Sequence, residues 1–243
     1  MNIKGMIKPT MIFYGIIITI IMVTVVANKM SLGTVSMSGI EASTVIFLFV
    51  CGLNSFKTNF YFAKSNNISR KTFIKGILIS TLPIAFVTSI LDIIVNRITN
   101  IFISNPTFYD MSYGEFYNAG GWSSGNTWIQ SNSLGTIFNT ILFQFTLCLV
   151  AYLIGLVINM IYYRCNKMMK TVVSVAPIAV IIIINTLAYN FPEIVINISR
   201  FINFIFGLDP INVYAAITTF IVISIALALA SFMLIRKAVI KER

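Results

Sequence analysis

Lys57, Tyr61 and Lys64 stand at spacings of four and three, so on a helix they share one face. Phe56, Phe60 and Ala63 form a second stripe with the same periodicity, and this one is apolar. A helix with one basic, phenolic stripe and one apolar stripe can lie along a membrane face and dock on a partner. Read without a partner, the same residues are a basic loop that obeys membrane topology. Just beyond, Asn67 and Ser69 are good helix starters, and Arg70 and Lys71 suit the end of a membrane span.

The remaining candidates are sparse. Asn139, Gln144, Asn159 and Asn185 are uncharged polar residues inside apolar runs, placed either to line a pathway or to join helices by hydrogen bonds. Asp92 is the one acid expected inside a span; with Asn96 one turn on and Arg97 beyond it, it reads as a helix-end carboxylate reaching for the interface. Carriers coupled to protons or sodium need carboxylates, histidines or arginines at membrane depth. This chain nearly lacks them. It has no histidine and only three cysteines (Cys51, Cys148 and Cys165), too few for zinc, haem or iron–sulfur ligation. It has no GxxxxGK[ST] loop and no paired carboxylates, so by itself it is expected neither to hydrolyse ATP nor to act as an enzyme.

The elements that carry these residues follow from composition. In 243 residues, 58% are apolar and only 10% charged, with a mean hydropathy of +0.91. Such a chain needs lipid as its solvent. Apolar runs near 18 to 20 residues cross a hydrocarbon core about 30 Å thick, and the backbone inside lipid must close its own hydrogen bonds, so the runs are expected as helices. The expected class is an all-α integral membrane protein forming one transmembrane domain over 1–243, with spans at about 10–27, 42–56, 73–95, 134–163, 171–189 and 212–235. The first resembles a signal peptide, but its core is too long and more spans follow; it is read as uncleaved. The second is short unless it continues helically. Pro83 in the third is tolerable because neighbouring helices can satisfy the freed carbonyl.

Between spans three and four, 96–133 reads as an extracellular loop rich in Gly, Ser and Asn. Its rings (Phe108, Tyr109, Tyr113, Phe116, Tyr117, Trp122 and Trp128) suit either a loop lying in the headgroup layer or a cap touching substrate. The segment 190–211 is expected as an outer amphipathic or re-entrant helix, with Asn197, Arg200 and Asn203 on one face and a stop at Gly207. Basic residues are kept on the cytoplasmic side. Placing both termini and loops two–three and four–five inside puts fourteen of the seventeen Lys and Arg there, leaving Lys29, Arg97 and Arg200 outside. This distribution, without a groove of basic and aromatic residues, accounts for the net charge of +10 without invoking nucleic acid. The wealth of Ile, Asn and Lys fits a low-GC bacterial genome and hence a bacterial plasma membrane.

The run Asn66 to Gly76, "NNISRKTFIKG", resembles the "N-G-x-S-R-K-x-F" entry to span three of permease subunits in six-span bacterial ABC exporters of the type-2 class. Asn67, Ser69, Arg70, Lys71 and Phe73 occupy corresponding places, with Asn67 where glycine is frequent. "AYLIGLVI" at Ala151 to Ile158 and "GLDPINVY" at Gly207 to Tyr214 are weaker matches. The resemblance implies that the segment after span two is a coupling helix, with Lys57, Tyr61, Lys64, Asn66, Asn67 and Arg70 contacting a separate ABC ATPase that binds ATP and Mg. It further implies a pair of permease subunits, identical or sister chains. The small size and lack of an outer domain are similar to exporters of small amphipathic peptides, either phenol-soluble modulin-like toxins or peptide antibiotics. The alternative is a membrane-embedded immunity or sensor protein that binds peptide without ATP.

Overall fold

The computed structural model describes residues 3–30, 38–114, 116 and 128–236. The C-terminal Lys237, Lys241 and Arg243, and Glu115, Tyr117 and Trp122 of the aromatic loop, lie outside the described residues. The elements are α1 (Ile3–Met30), α2 (Ile40–Ser55), α3 (Lys57–Ser65), α4 (Arg70–Asn100), α5 (Phe108–Ser112), α6 (Leu134–Arg164), α7 (Lys167–Asn190), α8 (Pro192–Ile205) and α9 (Val213–Arg236). Among the described residues, six helical stretches are long and apolar enough to cross a membrane. No strand occurs among the described residues, apart from an isolated bridge between Leu208 and Ile211 around a cis Asp209–Pro210 peptide.

Alone, α2 has 16 residues, or about 24 Å at 1.5 Å per residue, short of a hydrocarbon core of about 30 Å. Phe56 keeps right-handed helical dihedrals between α2 and α3, so the second apolar stretch continues and reaches spanning length as Ile40–Ser65. Helices α4 and α6 have 31 residues each, about 46 Å. Both must tilt or project. The first residues of the stretch expected as loop, 96–100, are therefore the last turn of α4.

Caps set the starts of α4 and α6. The Ser69 hydroxyl accepts from Thr72 N at 3.2 Å and the Ser133 hydroxyl from Thr136 N at 3.1 Å. Ser69 thus starts a helix as its residue type suggests. Asn67 instead ends one. It has φ +56°, and Asn67 N donates to Lys64 O at 3.0 Å while Ile68 N donates to Ala63 O at 2.9 Å. This pair of bonds closes α3 around a left-handed residue, which glycine adopts most cheaply and asparagine next. Gly207, with φ +60°, closes α8 by the same pattern through Phe204 O and Asn203 O.

The core is the crossing of α2 and α6. A Cβ on Gly52 would collide with the backbone at Tyr152 and Leu156, and one on Gly155 with the backbone at Phe49 and Leu53. The two backbones approach so closely only because neither glycine carries a side chain. Around this contact Leu48, Ile74, Ile77, Cys148, Tyr152, Leu156 and Met160 are buried. α9 packs on α6 and α4, while α1 touches α4 and α8 links α7 to α9. No described residue of α7 or α8 is buried, so on this chain alone their apolar side chains face outward.

Over its described part the aromatic segment folds onto the bundle. Phe108, Tyr109 and Tyr113 pack against Phe143, Val213 and Ile217 at the end of the bundle. The Thr107 and Asp110 side chains form a capping box on α5.

Candidate functional site

At the α3 end, Phe56, Phe60 and Ala63 are buried, so the apolar stripe packs as its spacing implies. The Phe56 ring lies 5.1 Å from Phe60, 6.0 Å from Phe73 on α4 and 5.3 Å from Tyr163 on α6. Phe60 closes the cluster at 5.6 Å from Phe73 and 5.9 Å from Tyr163. Offset and edge-on rings at such separations attract by about 0.5–1.5 kcal/mol per pair beyond the area they bury. α3 is thereby fixed to two long helices at once.

The opposite side of α3 stays open. Lys57, Asn66 and Asn67 are exposed, and Tyr61 and Lys64 are half-buried. Tyr61 packs edge-on against Tyr163 at 6.3 Å. Arg70 is half-buried and turns elsewhere: its Nη1 donates to Arg236 O on α9 at 2.9 Å. Five of the six residues therefore line the open side of α3 and its C-terminal turn, while Arg70 ties α4 to α9.

The four uncharged polar residues do not converge. Gln144 is buried, Asn139 and Asn159 are half-buried and Asn185 is exposed on α7. Asn139 accepts from the Tyr214 hydroxyl at 3.3 Å. Gln144 and Asn159 lie on the same helix about 22 Å apart along its axis. Gln144 joins helices, because its Nε2 donates to Asp92 Oδ2 at 2.8 Å.

Asp92 is not a helix-end carboxylate reaching outward. It is fully buried, and its Oδ1 accepts from the Tyr14 hydroxyl of α1 at 2.8 Å and the Thr44 hydroxyl of α2 at 2.7 Å. With Gln144 of α6, three helices donate to one carboxyl on the fourth. Burial of a carboxylate costs several kcal/mol, which good geometry and added hydrogen bonds offset. One turn toward the N-terminus of α2, Glu41 is also buried; its Oε2 accepts from Phe108 N at 2.6 Å. Toward the α5 end, Gln130 donates to Asn96 Oδ1 at 2.9 Å and Asp110 Oδ2 at 3.0 Å. Asn96 and Asn100 both donate to Asn105 O. The α5 end is thus a hydrogen-bonded plug, and its Tyr113 phenol, pushed up by burial, stays neutral and donates to Phe206 O at 2.7 Å.

No family model, curated protein or solved structure matches the chain. Among the described residues no group of three or more His, Cys, Asp and Glu is arranged to hold a metal ion. None of the three cysteines is in a disulfide; Cys148 is buried and Cys51 and Cys165 are half-buried. The missed residues are Glu41, Thr44 and Tyr14. Thr44 and Glu41 stand at i and i−3 on α2, and that spacing was the one local signal that they share a face.

Proposed function

We propose that this chain is the membrane subunit of an ATP-driven exporter of the bacterial type-2 ABC class, a permease whose ATPase is a separate chain. The observation that carries the reading is α3: a nine-residue helix clamped by an aromatic cluster to α4 and α6, with a basic, amide-bearing side left open. A helix free on one side and rigidly joined on the other is suited to receive a push and pass it on. The left-handed backbone at Asn67 adds support, since the position where the family often carries glycine is one whose geometry favours glycine.

In this reading two permease subunits, identical or sister chains, pack around a shared cavity in the bacterial plasma membrane, with both termini inside. ATP and Mg bind on the ATPase pair, and closure of that pair presses on α3 through Lys57, Tyr61, Lys64, Asn66 and Asn67. The Phe56–Phe60–Phe73–Tyr163 cluster transmits the displacement to α4 and α6, and the glycine crossing carries α2 with them. The cargo is a small amphipathic peptide, a phenol-soluble modulin-like toxin or a peptide antibiotic, whose apolar face matches the apolar helices. Asp92 acts within this scheme as the joint that keeps α1, α2, α4 and α6 in register.

A photo-crosslinking amino acid placed at Lys57 or Lys64 tests the contact in native membranes. A crosslink to a protein with Walker motifs supports the reading, and crosslinks to lipid alone count against it.

A further inference from the structure

At the α5 end, the face that the basic residues assign to the outside, lies a recess of about 210 Å³ lined by Tyr109, Tyr113, Trp128, Asp110, Ser131 and Thr136 among others. Its walls are held from behind. Tyr113 is fixed by its hydrogen bond to Phe206 O and by an edge-on contact with Phe143 at 5.5 Å. Trp128 stands edge-on to Phe116 at 5.4 Å, and Tyr109 lies 6.3 Å from Tyr113. Asp110 is 3% exposed, and its Oδ2 is taken by Thr107 N at 3.1 Å and by Gln130 Nε2 at 3.0 Å. Its Oδ1 takes no hydrogen bond from the described residues. Arg97 does not neutralise it by contact, because its Nη1 donates to Ser131 O and Asn132 Oδ1 and its Nε and Nη2 find no partner among the described residues.

Three aromatic walls and one carboxylate oxygen that takes no hydrogen bond from the described residues favour one kind of occupant. Ring faces carry negative potential and attract a cation set over them, most strongly when it is desolvated. An anion meets both the rings and Asp110, and a neutral group leaves the carboxylate unused. The size narrows it further. Pockets for whole drug-sized ligands run from roughly 300 to 1,000 Å³, so this recess takes a head group or a side-chain end.

From this we infer that the recess is a binding site for an alkylammonium group, primary or quaternary, held over Tyr109, Tyr113 and Trp128 against Asp110. Such a group reaches the outer face as a peptide's lysine side chain or as an aminolipid head group. The site goes beyond the exporter reading and stands whether or not an ATPase drives the helices.

Because the chain has two tryptophans, Trp122→Phe leaves Trp128 as sole reporter in the purified full chain. Its fluorescence is titrated with choline, n-butylammonium and 3,3-dimethylbutan-1-ol, the neutral isostere of choline. The expected result is a saturable response to an ammonium ion and binding at least about tenfold weaker for the alcohol. Asp110→Asn, which keeps an oxygen for Thr107 N, and Tyr109→Leu should each weaken ammonium binding about tenfold. Should Asp110→Asn fail to elute as folded protein, Tyr109→Leu carries the test. Competition by a lysine-bearing peptide but not its norleucine analogue marks a peptide source; competition by phosphatidylethanolamine in phosphatidylglycerol nanodiscs marks a lipid source. Equal binding of choline and the alcohol, or no saturable response to either ammonium ion, overturns the assignment.

Discussion

Replacing Asp92 by Asn and by Leu separates the two things its carboxyl does. Both variants remove the charge and have similar size, so the cost of burying a carboxylate cancels when they are compared with each other. What differs is hydrogen bonding. In Asp92→Leu the Thr44 hydroxyl and Gln144 Nε2 lose their acceptor, while Tyr14 retains Thr88 O at 3.0 Å. A buried donor left alone costs about 1–3 kcal/mol, and interhelical hydrogen bonds in membranes average about 0.6 and reach about 1.7 kcal/mol. In Asp92→Asn the amide oxygen still accepts from Tyr14 and Thr44. Its NH₂ then faces Gln144, whose Oε1 has no partner among the described residues and can turn to accept it.

The asparagine variant is therefore expected to be the more stable by about 2 kcal/mol, which for a chain of this length is about 4–8 °C in Tm. Fluorescence-detected size exclusion after heating in detergent measures the difference. Thr44→Val should cost less in the Asp92→Leu background than in the native chain, because the partner is already gone. Equal melting of the Asn and Leu variants would refute the claim that three helices aim their donors at this carboxyl. Native protein far more stable than both would show that the negative charge itself is needed.

The other expectations concern the crossing, the α3 turn and the α4–α9 tie. Gly52→Ala and Gly155→Ala each push a methyl into facing backbone and should cost about 1–3 kcal/mol, read by the same thermal assay. At Asn67, glycine relieves the left-handed backbone and should stabilise by about 0.5–1 kcal/mol, whereas valine should destabilise by more, again as shifts in Tm. Arg70→Glu loses the hydrogen bond to Arg236 O and should lower transport-linked ATPase activity while membrane insertion, followed by fractionation, is unchanged; unaltered ATPase activity would remove Arg70 from the coupling path.

Much of the scaffold can be read from residue order, because spans need only length and apolarity. The Phe56–Phe60–Ala63 spacing and the Ser69 cap likewise act within a turn or two of the chain. What stays hidden depends on partners far along it. Asp92 sits near a helix end in sequence, yet Tyr14, Thr44 and Gln144 lie 78, 48 and 52 residues away, and only the packed bundle shows that they meet. Asn67 is ambiguous for a subtler reason: asparagine suits both helix starts and left-handed helix ends. The preceding helix decides between them, since its orphan carbonyls are capped there. Gly52 and Gly155 carry no signal of their contact because each is one glycine in a separate apolar run.

The most direct test of the exporter account is to purify the tagged chain from its native membrane, identify what comes with it, and assay ATPase activity with and without amphipathic peptides. The account predicts a co-purifying ATPase whose turnover rises with peptide. Recovery of the chain without any ATPase, still binding peptide, would contradict it and favour an immunity or sensor protein that works without ATP.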